Sequence, residues 1–185
     1  MADCLKRLGL LLTGLDAAKR GEARQLLLEG VAIYRDIDDH WSLTTTLNQL
    51  GQTCGVLGEY EAARQYLSEA MRIAYHSGLT PIVLEALVNL AELRLRASAA
   101  TDVPTEAVEL LTVSLNHPAG EQAAKDRAAR LPAELEPELP AVVTTKTRAQ
   151  MLTLESIVEE ALSGSSFSLL SVPQAPADKS AHPTV

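Results

Sequence analysis

The chain has 185 residues and a formal net charge of −8, and 46% of its residues are hydrophobic while only 3% are aromatic. The acidic excess argues against a nucleic-acid-binding surface, which needs clustered basic residues, and no apolar run reaches the roughly 18 residues of a membrane span. Cys4 and Cys54 offer neither a disulfide framework nor zinc-ligand spacing, so the sequence predicts one all-α domain in a reducing, cytoplasmic compartment.

Residues 3–36 form the first predicted helical hairpin. Leu5, Leu8 and Leu12 share one face of its first helix, and Gly21 is predicted to mark the turn. The second helix has small and apolar residues at helical spacing: Ala23, Leu27, Gly30 and Val31. A hairpin of this kind leaves an apolar edge that a neighbouring hairpin must cover.

The next hairpin, which ends at His76, has the most regular pattern. Leu47, Leu50, Gly51 and Cys54 are spaced i, i+3, i+4 and i+7, which places them on one helical face. Because glycine inside a helix costs about 1 kcal/mol relative to alanine, Gly51 indicates a close approach of two helices. A glycine with positive φ is then predicted to end the first helix, at Gly58. The second helix repeats the apolar spacing: Ala63, Leu67, Ala70 and Met71.

A third hairpin is predicted over residues 80–116, so that the three copies recur about every 40 residues. Thr80 is the predicted N-cap of its first helix, and Pro81 lies in the first turn. Arg94 occupies the position of Cys54 and departs from the pattern. Its helices otherwise repeat the apolar faces: Leu87, Leu90 and Ala91, then Ala107, Leu111, Ser114 and Leu115.

Residues 1–118 therefore hold the three hairpins, and residues 119–162 are predicted to form capping helices that close the end of the stack. The first of these helices spans 121–136, where Pro132 should kink or divide it. The last begins at Thr153 and has one apolar face: Leu154, Ile157, Val158, Ala161 and Leu162. The Ser-, Pro- and Ala-rich residues 163–185 are predicted to be a flexible tail.

The second hairpin resembles a unit of the tetratricopeptide repeat family, whose pattern is W-x2-L-G-x2-Y, then A-x3-F and a closing Ala. The residues that carry the resemblance are Leu50-Gly51, Gly58-Glu59-Tyr60, Ala63, Leu67 and Ala70, with Leu47, Cys54 and Leu67 replacing the aromatic residues. The long period and the linker from Tyr34 to Trp41 resemble the MalT-like region of bacterial signalling ATPases and transcription regulators. This resemblance covers about residues 3–116 and implies an alpha-alpha superhelix of about three hairpins plus a C-terminal helical cap.

In that family the region is a sensor or partner-binding arm, usually following an ATPase module. The chain has no phosphate-binding glycine loop, so the resemblance implies a fragment or a stand-alone relative that binds a peptide, protein or small ligand in a concave groove. The groove residues implied by the family are Lys6, Thr45, Asn48, Gln49, Gln52, Glu85, Asn89, Glu92 and Arg96. Their amides can donate to and accept from a peptide backbone, and Asn89 is the leading candidate. An ordinary solvated helix face is the competing interpretation.

The sequence gives no indication of catalysis, of a cofactor or of a metal site. The four histidines lie in predicted linkers or the tail, and Cys54 is predicted to be a buried, inert thiol. Asp38 or Asp39 is expected to be a helix cap rather than part of an acid–base pair.

A structural role is the alternative to ligand binding. The apolar face of Leu5, Leu8 and Leu12 could pair two chains through the N-terminal hairpin, with no groove ligand. In that case Leu8→Asp would abolish a homodimer, while Asn89→Ala would have no effect on any binding.

Overall fold

The computed structural model of this chain describes residues 17–97, 105–135 and 153–163, and within these ranges every regular element is an α-helix. The helices are α1 (Ala17–Asp36), α2 (His40–Val56), α3 (Tyr60–His76), α4 (Thr80–Ala97), α5 (Thr105–Asn116), α6 (Gln122–Leu135) and α7 (Leu154–Ser163). The predicted all-α class is confirmed. None of the described helices is both long and apolar enough to cross a membrane.

The helix boundaries follow from local side-chain chemistry. Asp39 caps α2, since its Oδ1 accepts a hydrogen bond of 3.0 Å from the Ser42 backbone N–H. Gly58 and Gly78 end α2 and α3 with φ of 80° and 69°, a conformation that glycine adopts without steric cost. Thr80 is not the cap of α4: it is the first helical residue, so the cap position falls on the residue before it.

The helices stack in two layers. From α1 to α6, each helix packs against the next one along the chain, and α4 also packs against α2 and α6. We call α2, α4 and α6 the inner layer and α1, α3 and α5 the outer layer. The contacts between successive hairpins include the inner-layer pairs α2–α4 and α4–α6, and the outer-layer helices α1 and α3 are joined by an ion pair between Arg35 and Glu69 at 2.7 Å. This arrangement of hairpins is compatible with a helical solenoid.

The core lies between the two layers and has the predicted apolar faces. Leu47, Leu50 and Cys54 of α2 are all 0% exposed, as are Leu87 and Leu90 of α4. Burying each such leucine stabilises the fold by about 1.5–3 kcal/mol. The face predicted for the second and third hairpins is therefore the face that the helices bury.

Two features of single residues differ from the prediction. Gly21 lies inside α1 and does not mark a turn, and a Cβ atom built on it meets nothing within 4 Å. Pro132 does not divide the helix that contains it, because α6 is continuous from Gln122 to Leu135. A proline removes only one backbone donor, and here the lost bond falls in the last turns of the helix.

The last helix packs in an unexpected place. Instead of forming an end cap with α6, α7 lies against α3 and buries Ile157, Val158 and Ala161. Its N-cap is Thr153, whose Oγ1 accepts from the Ser156 backbone N–H at 3.2 Å. α6 extends the inner layer and α7 lies against α3, while the closing of the stack by residues 119–162 stays a prediction.

Several predictions concern residues outside the described ranges. These are the groove residue Lys6, the proposed pairing face of Leu5, Leu8 and Leu12, and the tail beyond Ser163. They stay predictions.

Candidate binding surface

The predicted groove residues that the structure describes lie on the inner-layer helices α2 and α4. Their exposure divides them into two groups. Asn48 and Asn89 are buried, with 1% and 4% exposure. The others are half-buried or, for Arg96, exposed: Thr45, Gln49, Gln52, Glu85, Glu92 and Arg96.

These side chains align from one helix to the next. The inner-layer helices begin at residues 40, 80 and 122, so Thr45, Glu85 and Arg127 occupy the same position in α2, α4 and α6. By the same register, Gln49 corresponds to Asn89 and Gln52 corresponds to Glu92. We call this set the polar stripe: Thr45, Gln49, Gln52, Glu85, Asn89, Glu92 and Arg127.

Arg127 of α6 bonds to the side chains of the polar stripe that lie on α4. Its Nη2 donates to Asn89 Oδ1, and its Nε donates to Glu92 Oε1 at 3.1 Å. A second carboxylate, that of Glu85, lies 4.0 Å from its Nη1. Burial raises the pKa of Glu85, and the Arg127 charge only partly opposes that effect. The leading sequence candidate, Asn89, is thus already bonded within the chain.

The part of the polar stripe on α2 has no such cation. Asn48, beside it, donates from Nδ2 to the Ile82 carbonyl at 3.2 Å and so ties α2 to α4. Its Oδ1 and the Oε1 of Gln49 are buried atoms that receive no hydrogen bond. An unsatisfied buried acceptor costs about 1–3 kcal/mol. The α2 segment therefore contains two acceptors that no described residue satisfies, and a ligand N–H reaches that of Gln49 only if this half-buried side chain turns its amide toward the surface.

A second constellation, Asp38, His40 and Ser77, joins the turns that follow α1 and α3. His40 Nε2 lies 3.0 Å from Asp38 Oδ1, and its Nδ1 lies 3.1 Å from Ser77 Oγ. This is the order of groups in a serine hydrolase, but such an enzyme also needs backbone N–H donors aimed at an oxyanion. The backbone N–H groups of Ser77, Gly78 and Leu79 all donate to carbonyls of α3. The constellation therefore connects two turns and lacks an oxyanion hole at the serine.

Cys54 also lacks the surroundings of a nucleophile. It is fully buried, and that burial together with the Glu59 carboxylate raises its pKa to about 12. At neutral pH the side chain is a thiol, which is a poor nucleophile. Among the described residues, no three His, Cys, Asp or Glu side chains are grouped closely enough to hold a metal ion.

The Cys54 thiol should therefore be unreactive in the folded protein. Its raised pKa should also make the free energy of unfolding depend on pH in the alkaline range. In a Cys4→Ser background we expect a thiol-specific disulfide reagent to label Cys54 only as the protein unfolds. Between the unfolded thiol pKa of about 8.5 and the folded value, only the unfolded state loses the proton, so stability falls as pH rises, by up to about 1.4 kcal/mol per pH unit. Urea unfolding of this protein and of its Cys54→Ala variant measures the difference in slope. Equal slopes, or rapid labelling of the folded protein, would contradict the buried thiol.

Comparison with known proteins gives no relative for this surface. No family model, curated protein or solved structure matches the chain. An assignment of function therefore depends on the surface itself and on the sequence pattern.

Proposed function

We propose that this chain is a tetratricopeptide-like protein-interaction module that holds an extended peptide or protein segment along its inner layer. On the family resemblance, it would be the adaptor or sensor arm of a bacterial signalling or regulatory protein. The polar stripe supports this proposal because uncharged amides can bond the backbone of a peptide regardless of its side chains.

The observation that carries the proposal is the contrast between Gln49 and Asn89. These residues occupy equivalent positions, yet the amide oxygen of Asn89 accepts a hydrogen bond from Arg127 while that of Gln49 accepts one from none of the described residues. A peptide N–H would donate a hydrogen bond to the Gln49 amide oxygen, as the Arg127 guanidinium does to the amide oxygen of Asn89. Thr45 and Gln52 extend the same uncharged strip along α2, so the ligand-binding segment is α2 rather than α4.

Peptide selection followed by calorimetry tests the proposal. A random peptide library is selected on the immobilised protein, and the affinity of the selected peptides is measured for Gln49→Ala, Asn89→Ala and wild type. We expect about a tenfold weaker affinity for Gln49→Ala, as the loss of one hydrogen bond implies. Asn89→Ala should have a smaller effect, since Asn89 is bonded to Arg127.

Gln25→Ala is the matched control, because Gln25 is an exposed glutamine of the outer layer. Equal affinity of the Gln49→Ala and Gln25→Ala variants would refute the assignment of the groove to α2. Failure to select any peptide that binds would argue against the module as a whole.

A structural role is the second candidate, and one observation favours it. Ile37 and Trp41, which are 63% and 51% exposed, are the large exposed hydrophobic side chains among the described residues. Both lie at the junction of α1 and α2, beside the hairpin that would pair two chains. Sedimentation equilibrium would then give a homodimer that Leu8→Asp and Trp41→Ala each convert to a monomer.

A further inference from the structure

The placement of α7 raises the question of what this helix does for the stack. It comes from the far end of the chain, after residues 136–152, and it returns to α3 of the second hairpin. Its buried residues Ile157, Val158 and Ala161 join the same apolar cluster as the core of the hairpins. An end cap would pack on the last helices of the stack, whereas α7 packs on α3 of the second hairpin.

The outer layer has a gap at this place. α3 and α5 belong to successive hairpins but are not in close contact with each other, whereas their inner-layer partners α2 and α4 are. On one side α7 packs on α3. On its other side a small cavity, with the volume of about one water molecule, lies between Leu110 of α5 and Ile157 of α7. α7 thus packs on α3 on one side and borders α5 across a small cavity on the other.

The polar contacts of α7 also reach both hairpins. Near the end of α3, burial raises the pKa of Tyr75, and the charges of Glu155 and Glu159 on α7 raise it further. At the other end of α7, Glu160 lies at the cavity beside Arg94 of α4, and its charge interacts with that guanidinium. One short helix therefore makes an apolar contact with α3 and separate polar contacts to two successive hairpins.

We propose that α7 is a reversible clasp, an intramolecular helix in an outer-layer groove that fixes the angle between the second and third hairpins. When α7 is docked, α3 and α5 are held at one separation. When it leaves, the angle between the two hairpins is set only by the packing of α4 on α2 and α3 and can change there. A helix of ten residues is too short to be stable alone, so docking and helix formation occur together.

The clasp connects the outer layer to the inner surface. Rotation of the hairpins where α4 packs on α2 and α3 would change the spacing between Gln49 and Glu85 across the polar stripe. The effect of this rotation on ligand binding rests on the proposed function, whereas the claim that α7 fixes the angle between the hairpins does not. A distance measurement without ligand therefore tests the clasp separately.

The experiment is a spin-label distance measurement across the outer layer in the full chain. Arg72→Cys on α3 and Asn116→Cys on α5 place labels at exposed residues, in a Cys4→Ser/Cys54→Ala background. Val158→Asp puts a charge where the side chain is 0% exposed and should undock α7. Ser156→Asp is the matched control, because it adds the same side chain at an exposed position of the same helix.

We expect a narrow distance distribution for the labelled parent and for Ser156→Asp. For Val158→Asp we expect a broad, longer distribution, together with a loss of helical circular dichroism no larger than α7 accounts for. An unchanged distribution in Val158→Asp would overturn the proposal, because the hairpins would then hold their angle without α7. Collapse of the whole fold in Val158→Asp would also overturn it, since α7 would be part of the core and not a clasp.

Discussion

Gly51→Ala is expected to lower the free energy of unfolding by about 1–3 kcal/mol, although alanine is the better helix former. A Cβ atom at residue 51 would lie 2.5 Å from Leu67 Cγ and 3.2 Å from the Ala63 carbonyl oxygen. Leu67 is 1% exposed and has no free space to enter, so α2 and α3 must move apart. The strain should exceed the gain in helix propensity of about 1 kcal/mol.

Gly21→Ala is the matched control for this prediction. Gly21 is also a helical glycine, but its Cβ would meet nothing within 4 Å, so the variant should gain up to about 1 kcal/mol. Urea unfolding followed by circular dichroism measures both changes. If the two variants shift in the same direction, the close approach of α2 and α3 at Gly51 is not what makes that glycine necessary.

The comparison of these two glycines shows what the sequence could predict about the fold. Gly51 lies between apolar residues at helical spacing, and this context correctly indicated a buried helical face. Gly21 has no such context, and the same residue type was wrongly taken as a turn. The apolar period of α2, α3 and α4 was sufficient to predict their helices and buried faces, because burial of those faces dominates the energy of the stack.

The candidate surface was predicted less completely, because its polar contacts depend on register between helices. The family resemblance implied that Asn89 lies on the groove face of α4, but its bond to Arg127 requires that α6 pack beside α4. A single arginine at a predicted surface gives no signal of such a bond. The opposite case is Gln49, which the resemblance places in the same groove, and the sequence does not show that it differs from Asn89 in having no described hydrogen-bond donor.

The location of α7 could not be predicted for a related reason. Its face of Ile157, Val158 and Ala161 fits any apolar groove of suitable width, and the sequence carries no information on which groove is open. The groove beside α3 and α5 that α7 occupies is formed by packed helices, so only the assembled hairpins specify it.

Arg94→Met is expected to destabilise the protein by about 3–5 kcal/mol, the cost of leaving a buried charge without its partner. The Arg94 side chain is 7% exposed and is paired with Glu106 of α5. Burial lowers the pKa of Arg94, while the charges of Glu106, Glu160 and Glu109 oppose that effect. Glu109 is only 4% exposed, so without the guanidinium its charge has little access to water. Methionine keeps the apolar stem of the side chain, which limits the loss to electrostatics.

The origin of this destabilisation can be tested by pH and by a second substitution. A carboxylate left buried without a cation has a raised pKa, so the deficit of Arg94→Met relative to wild type should shrink as pH falls through that raised value. Replacing the opposing acid as well, in Arg94→Met/Glu109→Met, should recover most of the stability, because an apolar pair needs no compensating charge. Urea unfolding of the four proteins of this cycle gives the coupling energy of the two residues. If the double variant is as unstable as Arg94→Met and the deficit does not depend on pH, the loss comes from packing around α5 and α7 rather than from an unpaired charge.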